Sequence, residues 1–110
     1  MDKSTKGVII GASVGILAGA IARILFAPQS GKETRRDIAK YLHQIKEDVA
    51  KQLSELGEIT KEKYDEVVGR VVNVYETEKK ISAEDASDIK EKLVNNYHEV
   101  AEAASKPTDK

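Results

Sequence analysis

The sequence predicts an all-α protein, in which a glycine-rich N-terminal transmembrane helix is followed by charged amphipathic helices forming a loose bundle or a broken coiled coil. Three observations predict it. Residues 7 to 27 hold one charge, Arg23, in twenty-one positions. Beyond them, apolar residues recur at the three-to-four spacing of one helix face. Between the two regimes lies a proline, Pro28, with a helix-start pattern behind it. The chain therefore divides into an N-terminal flank (1–6), a hydrophobic helix (7–27), a Pro/Gly junction (28–31), a charged helical domain (32–105) and a short disordered tail (106–110).

Charge is as unevenly spread as hydrophobicity. Residues 1–31 carry three of the eighteen basic residues (Lys3, Lys6, Arg23) and one of the nineteen acidic ones (Asp2). The remainder is net acidic. The chain has no cysteine, so neither disulfides nor thiolate ligands enter. Five aromatics serve all 110 residues, which argues against a rigid, enzyme-like core in the tail.

At ~1.5 Å per residue, twenty-one residues of helix reach roughly 30 Å, the hydrocarbon thickness of a bilayer. Arg23 is tolerable there because it lies near the end, where its stem can run along the helix and lift the guanidinium to the headgroups. Gly7, Gly11, Gly15 and Gly19 recur at every fourth position. In water each costs a helix ~0.8–1 kcal/mol relative to alanine, whereas in lipid a glycine ridge lets a second helix approach closely. These four are the expected helix-packing residues, and a second copy of the chain is their expected partner.

Two rivals compete for this segment. Lys3 and Lys6, an apolar run and Ala20-Ile21-Ala22 also describe a signal peptide cleaved before Arg23. Alternatively, the segment is an apolar hairpin buried in a soluble oligomer. As a span, its flanks favour a cytoplasmic C-terminal domain at the cell membrane, because Arg23, Lys32, Arg35 and Arg36 outnumber Lys3 and Lys6. The same four residues are the expected contacts with anionic headgroups.

At the junction, Pro28 disfavours helix at Ala27, and Ser30-Gly31-Lys32-Glu33 forms an S-x-x-E capping box that starts the next helix. Pro28, Ser30, Gly31 and Glu33 thus read as a structural hinge. Beyond it, Ile38, Leu42, Ile45, Val49, Leu53 and Leu56 form one stripe ending at Gly57. Tyr64, Val67, Val68, Val71, Val72, Val74 and Tyr75 form a second. A third starts at the Ser82 cap and runs through Ala86, Ile89, Leu93, Tyr97, Val100 and Ala104. The β-branched stretch around Gly69-Arg70 could turn a hairpin, but its arms are too short to stand alone.

The stretch "GAIARILFAPQSGKETR", Gly19 to Arg35, resembles the YtxH-like family of small bacterial proteins, through Leu25, Ala27, Pro28, Ser30, Gly31, Glu33 and Arg35. The resemblance implies a glycine-rich hydrophobic segment, an A-P-x-S-G junction and a charged helical tail, in a protein of general-stress type. Arg23 stands where the spacing and the family's usual small residue would place a fifth glycine, which shortens the packing face to Gly7 through Gly19.

No phosphate loop, metalloprotease motif, EF-hand or nucleophile elbow appears. His43 and His98 are far apart and lack the convergent ligands a metal needs. The tail's carboxylates alternate with lysines as on a solvated face, and its acidic balance offers nucleic acid no basic field. The expectation is a non-enzymatic protein with no cofactor, no metal and no catalytic residue. Its expected partners are membrane lipid, a second copy and a protein that meets the tail. The alternatives are a soluble or peripheral stress-protective helical protein and a secreted helical domain.

Overall fold

The first apolar stretch divides at Ser13. In the computed structural model, which describes residues 7–26 and 36–105, Val8–Ile9 is a short strand (β1) and Val14–Leu25 a helix (α1). The expected single helix over 7–27 is therefore twelve residues long. Part of the reason is local. Val8, Ile9 and Ile10 are β-branched and bracketed by Gly7 and Gly11, a composition that weakens helix and suits an extended chain. Ser13 then caps α1 by accepting from the Ile16 N–H at 3.3 Å.

β1 pairs antiparallel with β2 (Glu58–Ile59), Val8 opposite Ile59 and Ile9 opposite Glu58. Two further bonds extend the docking, from the Ile10 N–H to the Gly57 carbonyl at 3.0 Å and from the Gly11 N–H to the Ala104 carbonyl at 2.9 Å. The pairing joins the front of the chain to its middle, and the Gly11 bond joins it to the C-terminal part. No sequence motif announced it.

The tail forms α2 (Arg36–Ser54), α3 (Lys61–Thr77), α4 (Ala83–Asn95) and α5 (Tyr97–Ala104). After α2 the chain turns at Gly57, whose φ of 76° is the left-handed conformation glycine accepts at little cost. Thr60 and Ser82 cap α3 and α4 by accepting from the N–H groups of Lys63 at 3.1 Å and Asp85 at 3.0 Å. α3 runs unbroken through Gly69, so no hairpin forms there. It ends in paired reverse bonds, Lys79 N–H to Glu76 O and Lys80 N–H to Tyr75 O, both 2.9 Å, with Lys79 left-handed at φ 62°.

The third stripe is two helices rather than one. Asn96 interrupts it, turning its own side-chain amide onto the Lys92 carbonyl at 2.8 Å, the kind of local bond that competes with a helix ladder. The apolar phase nevertheless continues, and Leu93 and Val100 are both fully buried.

The three stripes converge on a single core with α1. Leu17, Ile21, Ile45, Val49, Leu53, Ile59, Tyr64 and Val68 are each 0% exposed. α1 packs mainly on α2 and also touches α4 and α5, while α3 lies against α2 and α4. Val74 is the exception in its stripe at 46% exposed.

Candidate functional site

The feature that sets this bundle apart from an ordinary helical domain is α1. Apart from Arg23 it is wholly apolar, small or glycine, yet the bundle covers one side of it. Leu17, Ala18, Ala20, Ile21, Ile24 and Leu25 face inward and are buried. Gly15 and Gly19 face out, and Ile16 and Ala22 are half-buried beside them.

The four expected packing glycines are thus separated by the fold. Gly7 precedes β1 close to the Glu58 side chain, and Gly11 lies in the loop before the Ser13 cap. Gly15 and Gly19 share the outer face of α1, where a Cβ would meet Ser13 Oγ at 3.7 Å and nothing within 4 Å, respectively. The bundle itself does not require glycine at either position.

Arg23 is exposed in the last turn of α1 and lines a shallow cleft of about 590 Å³ with His98, Glu99, Glu102 and Ala103 of α5. The two glutamates put negative charge on the same cleft. Phe26, just past α1, packs against the His43 ring of α2 with centroids 4.7 Å apart. Arg36 opens α2. Lys32 and Arg35, with the junction residues Pro28, Ser30, Gly31 and Glu33, lie outside the described residues, as does the tail 106–110.

Polar anchoring is concentrated in the tail. The Tyr75 hydroxyl donates to the Asp48 carboxylate at 2.7 Å, tying α3 to α2. Arg70 Nε donates to Gln52 Oε1 at 3.3 Å between the same helices. The Tyr64 hydroxyl donates to the Leu93 carbonyl at 2.7 Å, tying α3 to α4, and the Tyr64 ring lies 5.1 Å from that of Tyr97 on α5. Burial raises the Tyr64 pKa, with Asp65 and Tyr97 adding to the shift. Burial also raises that of Tyr75, reinforced by the hydrogen bond to Asp48 and by the Asp48 and Glu78 charges. These tyrosines are locks, not acids or bases poised for neutral pH. The sequence placed them on apolar stripes but carried no sign of their hydroxyl partners.

A second groove of about 660 Å³, open to solvent, lies where α2 begins and α3 gives way to α4, lined by Lys40, Lys79 and Lys80 together with Asp37, Glu76 and Asp85. Its charges are mixed. Lys80 pairs with Glu78 at 3.1 Å, both lying just past the end of α3 at Thr77. Among the described residues no group of acidic or histidine side chains could hold a metal ion, and no helix is long and apolar enough to cross a membrane.

Fold and site together define a small helical bundle organised around a hydrophobic N-terminal helix. A family model described as YtxH-like protein matches residues 9–110, and the chain belongs to that family. Comparison with curated proteins and with solved structures returned no match.

Proposed function

We propose that this YtxH-like chain is a non-enzymatic helical protein of stress-protective type that keeps its hydrophobic segment inside its own bundle and associates with membranes peripherally. One observation carries the reading. Leu17 and Ile21 are 0% exposed and Leu25 2%, so the tail helices already satisfy the apolar stripe of α1. Burial of Leu17, Ile21, Ile24 and Leu25 contributes about 1.5–3 kcal/mol per side chain, a substantial share of a small domain's stability.

A second reading rests on the sequence. Gly7 to Ala27 is long enough to span a bilayer if it becomes one helix, whereas α1 as folded covers about 18 Å. In that form the chain is a single-pass anchor with its tail in the cytoplasm, and the glycine face is where a second copy packs.

Alkaline carbonate washing of bacterial membranes carrying the full-length chain, with intact mass on both fractions, separates the readings. Full-length protein in the supernatant supports peripheral association. Full-length protein in the pellet replaces it with the single-pass anchor, and a mass beginning at Arg23 replaces it with a secreted domain.

A further inference from the structure

We infer that α1 is an exchangeable element, held by the tail helices in water and by the acyl region of a bilayer at a membrane surface, while α2, α3 and α4 remain folded together. The inference rests on the peripheral reading and names the element and the lipid chemistry through which it acts.

Three observations carry it. First, the attachment of α1 to the other helices is apolar. Its one charged side chain, Arg23, makes no hydrogen bond or ion pair among the described residues. Side chains such as Leu17 and Ile21 lose nothing specific when hydrocarbon replaces leucine and valine, since lipid tails are as apolar as the core they leave. Second, the outer face of α1 is uncharged up to Arg23, with Gly15 and Gly19 exposed. A helix that is apolar around its circumference is matched to an environment that surrounds it, and the bundle surrounds it on one side only. Third, the tail has directional locks that do not involve α1. The Tyr75–Asp48 and Arg70–Gln52 bonds join α3 to α2, and the Tyr64–Leu93 bond joins α3 to α4.

Departure of α1 uncovers the part of the apolar face of α2 on which it packs, and water would penalise that as heavily as it penalises exposing α1. The exchange is therefore confined to the membrane surface, where the same acyl layer meets both faces. Arg23 lies at the C-terminal end of α1, where it can stay in the headgroup region as the rest of the helix sinks.

The chain has no tryptophan, so Ile16→Trp provides a single reporter in the first turn of α1, half-buried beside the exposed Gly15 and Gly19. The full-length variant is mixed with vesicles of phosphatidylethanolamine and phosphatidylglycerol, with and without brominated acyl chains. In parallel, hydrogen exchange is followed on the unsubstituted protein with the same vesicles. The expected result is a blue-shifted emission that brominated chains quench, with amide protection in α3 and α4 unchanged. An emission that neither shifts nor is quenched overturns the exchange, even where the protein cosediments with vesicles and salt releases it. Loss of protection in α3 and α4 also overturns it, because the whole bundle then opens. Retention after carbonate washing is a separate failure, that of the peripheral reading itself.

Discussion

Tyr75 of α3 donates its hydroxyl to Asp48 of α2 at 2.7 Å, across twenty-seven residues of sequence, and the ring that carries it is 7% exposed. The bond fixes how α3 lies along α2 at a place where valines alone would allow sliding. A hydrogen bond to a charged acceptor contributes about 1.5–3 kcal/mol. Asp48 keeps partial access to water, so Tyr75→Phe is expected to cost about 1–2 kcal/mol. Urea unfolding measures it as a lower midpoint at unchanged slope.

The alkaline limb of the stability curve follows from the same residues. Tyr64, Tyr75 and Tyr97 all hold their protons more tightly in the fold than in the unfolded chain, principally through burial. The unfolded state then releases protons first as pH rises past ~10, so stability is full below that value and declines above it, by up to about 1.4 kcal/mol per pH unit per tyrosine. The Tyr64→Phe, Tyr75→Phe double variant is expected to be less stable at pH 7 and to lose stability more slowly between pH 10 and 12. Equal slopes for variant and parent would refute the assignment.

Docking of α1 has its own test in water. Leu17 is 0% exposed, and Leu17→Ala removes buried volume that the core cannot fully recover, at an expected cost of about 2–4 kcal/mol. A midpoint equal to the parent's would mean that α1 does not pack on the tail in solution.

The outer face of the same helix responds in the opposite direction. Gly15 and Gly19 have room for a methyl group. Gly15→Ala with Gly19→Ala is therefore expected to raise stability by about 1–2 kcal/mol in total, through helix propensity alone. Destabilisation would show that something already packs on that face.

Lys79 occupies the left-handed position at the end of α3, with φ 62°, where most helices place glycine. Lys79→Gly relieves that conformation and leaves the bonds from Lys80 and residue 79 to Tyr75 and Glu76 in place. An increase of about 0.5–1 kcal/mol is expected, read as a higher thermal midpoint.

Much of the tail was legible because its signals are local. The stripe through Leu42, Ile45, Val49 and Leu53 needs only the helical period to be seen, and all four are buried. Thr60 caps α3 and Ser82 caps α4 with their own side chains within three residues, and the Ser82 cap is visible in the sequence for that reason. The junction motif pointed to the YtxH-like family, which the family match over residues 9–110 bears out. The division at Ser13 carried a local sign too, in a β-branched run ahead of a capping serine. The glycine period overshadowed it.

What the sequence by itself determined is therefore the helical class, the phase of each apolar stripe in the tail and the family, all set by periodicity, caps and a short junction motif. Tertiary structure decided the fate of the hydrophobic segment. Val8 and Ile9 became a strand because Glu58 and Ile59 lie alongside, and Leu17 and Ile21 became core because α2, α4 and α5 provide an apolar surface. Such choices depend on which partner is nearest in space, and an apolar side chain accepts a neighbouring helix or a lipid tail on the same terms.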